Sequence, residues 1–202
     1  MNRTTTLTLK PVSLRASLSA MLLALFALIL WVTPALAAVP IDGIVYEGKS
    51  VPGVALGDTR SQVAKSYGDP VKCNDNSTSR SYTCSYKVGN GGTVTINFTR
   101  NFQSPTPDRG DIVSSIRWSQ ELDGWTTTAG VTTKLALANP KAVVEAYPQA
   151  AVKYNSLGEI IQVRDARLGI QVDWLGSTGG GDFQKSVTMA IFSPVKFTSA
   201  DR

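Results

Sequence analysis

From Thr93 to Arg100 the chain alternates without a break. Val94, Ile96 and Phe98 point one way, and Thr93, Thr95, Asn97 and Thr99 point the other. A period of two marks a strand with one face in a core and one in water. Such a strand needs antiparallel partners and an apolar cover, which narrows the folds open to the chain. Residues 80–88 precede the turn Gly89-Asn90-Gly91-Gly92 and form the first arm of a hairpin with it. After a loop over 101–111, a third strand is expected over 112–119, with Ile112, Ile116 and Trp118 on one side.

The cover is supplied by two short helix signals. Thr59 and Gln62 make a capping-box pattern, Val63 and Tyr67 fall at i and i+4, and Gly68-Asp69-Pro70 stops the first helix. In the second, Asn139 is the N-cap, Pro140 takes the first helical position, and Val143, Val144 and Tyr147 form the apolar stripe before Pro148. Cap, Val and Tyr recur at one constant offset, Thr59 to Asn139, Val63 to Val143 and Tyr67 to Tyr147. Strands over 158–164, 168–175 (Leu168, Ile170, Val172 and Trp174 alternating) and 184–193 then repeat the order seen after the first helix. The expected fold class is α+β: an antiparallel sheet covered on one face by short helices, in two tandem helix-plus-strands units. The expected boundaries are 1–37 for a leader, 38–119 for the first unit, 120–130 for a linker, 131–197 for the second unit and 198–202 for a tail.

The leader carries Arg3, Lys10 and Arg15, then an uncharged run from Ala20 to Val32, then Pro34 and Ala35-Leu36-Ala37. That is a signal peptide in its three parts, with an apolar core shorter than a membrane span. The expectation is a secreted or periplasmic protein with no transmembrane segment after cleavage. Removing three cations leaves 17 Lys and Arg against 15 Asp and Glu, so the basic isoelectric point overstates the charge of what remains. No cationic cluster or nucleic-acid motif accompanies it, and nucleic acid is set aside as a partner. Cys73 and Cys84 are the whole cysteine complement. They flank the polar loop that begins at Asn74, and in an oxidising compartment they are expected to form a disulfide across a hairpin.

The stretch Val54 to Cys73 resembles the helix-opening motif of the β-lactamase-inhibitory-protein-like fold and its outer-membrane-assembly (SmpA/OmlA) relatives, through Gly57, Thr59, Val63, Gly68 and Pro70. The resemblance implies a helix followed by antiparallel strands. In its inhibitor branch it implies a tandem repeat with a disulfide after the first helix. Two departures limit it. The second unit shows Leu137-Ala138-Asn139 where the first has its Gly-x-Thr turn, and the hairpin tip at Asn90 carries no acid. Inhibition of a β-lactamase is therefore not implied.

Catalytic chemistry is thin. The chain has no histidine, which excludes Ser-His-Asp and Cys-His mechanisms and imidazole-dependent zinc sites. No catalytic or metal-binding residue is assigned and no cofactor is expected. Glu121, Asp123, Asp165, Asp173 and Asp182 leave a two-carboxylate, polysaccharide-acting enzyme as the rival reading; solvated acids are the plainer explanation. The Gly179-Gly180-Gly181 run reads as a hairpin loop, and Arg109-Gly110-Asp111 as a chance tripeptide. What remains is the polar sheet face. Thr83, Lys87, Asn90, Thr93, Thr95 and Asn97, with Trp125 from the linker as an anchor, are the expected binding residues of a non-enzymatic module. Its expected partner is an extracytoplasmic protein in envelope assembly or enzyme inhibition, with a glycan as the second choice. A structural envelope component without a defined ligand is the third reading.

Overall fold

The structure is a computed structural model that describes residues 37–75, 80–89, 91–100, 110–176 and 186–195. Of the expected segments, the leader (save Ala37), most of the loop over 101–111, the glycine run and the tail fall outside the described residues. Among those residues, no helix is long and apolar enough to cross a membrane.

The alternating segments build one sheet. In chain order its strands are β4 (Lys72–Asn74), β5 (Ser81–Lys87), β6 (Thr93–Thr99), β7 (Ile112–Ser119), β9 (Ala151–Tyr154), β10 (Ile160–Asp165), β11 (Ile170–Leu175) and β12 (Ser186–Phe192). They lie in the spatial order β4-β5-β6-β7-β12-β11-β10-β9, antiparallel throughout. The last strand of each run of four therefore meets the other at the centre. The two halves share one continuous sheet.

Alternate residues of the six inner strands are buried on a single face. Val94, Ile96, Phe98, Ile116, Val172, Val187, Met189 and Ile191 are at most 1 % exposed. They are covered by α1 (Arg60–Tyr67), α2 (Thr133–Ala138), α3 (Pro140–Ala146) and a parallel strand pair, β1 (Asp42–Val45) with β8 (Gly124–Thr127). A small hairpin, β2 (Ser50–Val51) with β3 (Val54–Ala55), leads into α1.

Both helix starts follow from their caps. The Thr59 hydroxyl accepts from Gln62 N while the Gln62 side chain accepts from Thr59 N at 2.7 Å, satisfying two donors that a helix start leaves orphaned. Gly68 then ends α1 with φ +75°, and Asn139 Oδ1 caps α3 ahead of Pro140. The two tyrosines at the ends of these helices do the same job. Tyr67 donates to Pro52 O at 2.6 Å, and Tyr147 donates to Glu47 Oε1 at 3.1 Å while its oxygen shares a hydrogen bond with Thr127 Oγ1 at 2.9 Å. Burial pushes both phenols well above the ordinary tyrosine range, so they remain donors at any physiological pH.

Four sequence expectations are corrected. Residues 120–130 are not a free linker, because β8 lies inside them and pairs with β1 in register from Asp42–Gly124 to Val45–Thr127. Trp125 is fully buried there, its ring 5.6 Å from that of Trp118 and its Nε1 donating to Pro40 O. It is a core residue and no anchor on the sheet face. A bulge beside Asn97 shifts the phase of β7, so that Val113 turns inward and Ile112 is left 43 % exposed. Leu168 precedes β11 and is also exposed, its N–H donating to Asp165 Oδ1.

Cys73 and Cys84 stand opposite each other in the β4–β5 register and form a disulfide, Cα to Cα 4.1 Å. β4 is a three-residue edge strand, so this bond is its main tether. Reduction, or Cys73→Ser, is expected to cost about 2 to 3 kcal/mol, the loop-closure entropy of a segment this short. Amide exchange should rise first at Lys72–Asn74, with β6, β7, β11 and β12 still protected.

The turn from β10 to β11 makes a second prediction. Gly169 has φ +73°, and a Cβ there would sit 2.1 Å from Phe192 O. Gly169→Ala must therefore push β12 aside at the centre of the sheet, and a loss of about 2 to 4 kcal/mol is expected in urea unfolding.

Candidate functional site

Inward packing of one residue in two sends the rest to the opposite face, and the register assigns each its neighbours. One row across the sheet reads Lys72, Ser85, Thr95, Arg117, Ala190, Gln171, Arg164. On one side of it runs Thr83, Asn97, Ser115, Phe192, and on the other Lys87, Thr93, Ser119, Thr188, Asp173, Gln162, Lys153. Of the residues expected from sequence, Thr83, Lys87, Thr93, Thr95 and Asn97 are thus brought together on one face. Asn90 lies outside the described residues, and Trp125 is on the far side of the sheet.

The face is hollowed at its middle. A depression of about 380 Å³ is lined by Thr83, Thr95, Asn97, Ser115 and Arg117 from one half and by Arg164, Gln171, Ala190 and Phe192 from the other. A second, of about 390 Å³, adjoins it through Arg117 and Gln171 and extends to Lys153, Gln162, Asp173 and Thr188. Arg117, Arg164, Ala190, Phe192 and Lys153 are additions that the sequence reading missed. Arg117 was within its reach, since it alternates between the inward Ile116 and Trp118. The others needed the register.

The side chains of the hollow hold one another. Asn97 Nδ2 donates to Ser115 Oγ at 3.0 Å, and Ser114 Oγ donates to the Asn97 carbonyl at 3.1 Å. Asp173 is the one acid in these two depressions. It accepts from Gln162 Nε2 at 2.6 Å and from Gln171 Nε2 at 2.8 Å, and it lies 3.7 Å from Arg117 Nη2. Arg117 keeps half of its side chain in solvent. The Arg164 guanidinium lies 4.6 Å above the Phe192 ring, a cation–π contact that flattens it onto the floor.

The other acids named from sequence do not join them. Glu121 and Asp123 are exposed in the turn before β8, and Asp182 lies outside the described residues. Asp165 is buried in the β10–β11 turn, where it accepts from Arg167 N, Leu168 N and Arg167 Nη2 at 2.8 to 3.1 Å. Asp111, part of the tripeptide noted above, is buried and accepts from Tyr82 OH at 2.9 Å. Burial first, and this bond second, push the Tyr82 phenol up to about 12. Among the described residues, no group of three or more His, Cys, Asp or Glu is placed to hold a metal ion.

Asp165 carries a pH signature. Burial raises its pKa, but the Arg167 guanidinium and the two backbone N–H groups outweigh that and hold it below the usual carboxylate value. A carboxyl lowered on folding contributes stability above its unfolded pKa of about 3.9 and loses it as the pH falls through the folded value. Asp165→Asn should therefore lower the melting temperature at pH 7, with the gap to the parent closing below about pH 4. A gap unchanged at pH 3 would mean that packing alone is at work.

Comparison of the chain with family models, with curated proteins and with solved structures returns no match.

Proposed function

We propose that the chain is an exported, non-enzymatic binding module that holds an extracytoplasmic protein against its polar sheet face. The observation that carries the reading is the hollow of that face. It is built at the seam of the sheet from both halves, in neutral hydroxyl and amide side chains with exposed cations among them. A sheet covered on one side only and hollowed on the other is a rigid platform. Its hydrogen-bonded backbone is ordered before a partner arrives, so little entropy is lost in binding.

Export is supported by the leader in the sequence and by the Cys73–Cys84 disulfide, a bond that persists outside the cytoplasm. A tandem origin is supported by the matched order of helix and four strands in each half and by the matched tyrosines. The mirrored strand order, with β7 and β12 at the seam, fits two copies of one unit placed back to back. The resemblance of Val54–Cys73 to the inhibitory-protein-like fold belongs to the same proposal, since α1 followed by β4 to β7 has the helix-then-strands form that it implies.

The rival enzyme needs two carboxylates about 5 to 9.5 Å apart in one cleft. The two depressions of the sheet face hold one between them, Asp173. Two further depressions, one beside α2 and α3 and one beside Glu47, are each lined by a single acid. The binding reading fits these surfaces better.

The test is retention. The chain from Ala38 onward, made in an oxidising compartment and immobilised, is expected to retain one protein from the native envelope or culture fluid. A Thr95→Arg/Asn97→Arg variant, which fills the hollow, is expected to lose it. Equal retention by the variant would move the site off this face. Retention of nothing, with the variant's neighbours tolerant of substitution, would favour a structural component.

A further inference from the structure

The charge of this chain is unevenly placed. Within the eight-stranded sheet the polar face bears Lys72, Lys87, Arg117, Lys153 and Arg164, all exposed, against the single acid Asp173. The described residues hold 13 Lys and Arg and 12 Asp and Glu, so those of them outside this face are 8 cations against 11 acids. The face is the basic side of a nearly neutral protein.

The placement is also periodic. In the central row, Lys72, Arg117 and Arg164 each stand three strands from the next, with Ser85 and Thr95 in the first interval and Ala190 and Gln171 in the second. Three strand spacings of about 4.8 Å make about 14 Å. An extended peptide rises about 3.4 Å per residue, so four of its residues span the same distance. Side chains four apart in an extended peptide also point the same way.

We propose that the polar face takes an acidic segment of its partner protein, lying extended across the strands, with two carboxylates four residues apart on Arg117 and Arg164. The proposal rests on the binding reading above and names the chemistry of the partner. Between the two guanidinium groups the floor is neutral and low. Ala190 is 8 % exposed, and Phe192 beside it offers an apolar wall to the residues between the acids. That pattern suits a protein more than a uniform polyanion. A polyuronate or polyphosphate would set charges over Ala190 and Thr95, where no cation meets them, and would make no use of Phe192. Arg117 pairs loosely with Asp173 at 3.7 Å and keeps half of its side chain in solvent, and because the Gln162 and Gln171 amides also hold Asp173, the guanidinium can turn to a ligand without leaving that carboxylate unpartnered. Arg164 is held flat by Phe192 with its edge exposed, the geometry that grips a carboxylate in two bonds.

The experiment uses eleven-residue peptides of Thr and Val that carry two Glu at separations of two, three, four or six, with Gln controls, titrated into the mature protein at low and physiological salt. The four-residue spacing is expected to bind about fivefold or more tighter than its Gln control, with a loss of affinity on adding salt. Arg117→Gln/Arg164→Gln, which removes the pair with Asp173 and the contact with Phe192, should bind all peptides at the control level while remaining folded. The spacing series reads the unaltered protein, so it decides the matter even if the variant is damaged. Equal binding at all spacings, no binding of the four-spaced peptide, or tighter binding of polygalacturonate or polyphosphate would each overturn the proposal. In the retention experiment, a partner kept by Arg117→Gln/Arg164→Gln but lost by Thr95→Arg/Asn97→Arg would sink the acidic-segment proposal alone. A partner kept by both would sink the face as well.

Discussion

The pairing of β7 with β12 is the contact on which the rest of this molecule depends. Each half has its own helical cover, α1 in the first and α2 with α3 in the second, and its own run of four antiparallel strands, and only this seam turns them into one sheet. Its register runs from Thr188–Ser119 to Phe192–Ser115. It is fixed by what lies inward, Ile116 opposite Ile191 and Trp118 opposite Met189, all essentially without solvent. A slip of β12 by one residue would turn Met189 and Ile191 toward water and Thr188 and Ala190 toward the core. The apolar cost of that exchange, about 1.5 to 3 kcal/mol for each large side chain, is what holds the polar face in alignment.

The cover shows how the sequence can be read and where the reading stops. Long strands with a clean period of two, such as β6 and β11, identify themselves, and capped helices such as α1 and α3 do so through Thr59, Gln62, Asn139 and Pro140. β8 has neither property. It is four residues long and starts at a glycine, and its partner β1 lies some eighty positions earlier in a parallel pair. No local pattern encodes such a contact. Trp125 was misplaced for that reason: an aromatic residue in a polar stretch reads as exposed until the element that buries it is known. The bulge at Ser114 escaped in the same way, because one extra residue changes the phase of a strand without changing its composition.

The candidate site divides along the same line. Thr83, Thr93, Thr95 and Asn97 follow from alternation within a single hairpin and were legible. Arg164, Lys153, Ala190 and Phe192 join them only because β10, β9 and β12 come to lie on the far side of the seam. Arg117 was readable as a residue, but its place in a row with Lys72 and Arg164 was not. The same holds for charge. Summed over residues 38–202, the cations and acids nearly cancel, and that sum hides the basic face of the sheet. Composition reports the total, whereas binding responds to the arrangement.

A basic face of this kind gains little from its charges while it is in water. Exposed arginines at the spacing seen here are screened by salt, and each isolated ion pair they form is worth at most about 1 kcal/mol. The gain comes when a partner excludes water from the hollow, since the same pairs then act in a lower dielectric with their hydrogen bonds fixed in direction. Desolvation is costly for any cation left without a counter-charge. The small neutral floor at Ala190 and the amides that hold Asp173 therefore matter as much as Arg117 and Arg164, because they add no further charge to be matched between those two groups. On the proposed reading, a segment with its acids in the right places meets both guanidinium groups at once, and one with its acids elsewhere buries Arg164 without a counter-charge and Arg117 with only the shared Asp173. On the proposed reading, selectivity arises from the penalty on the wrong partner more than from attraction to the right one.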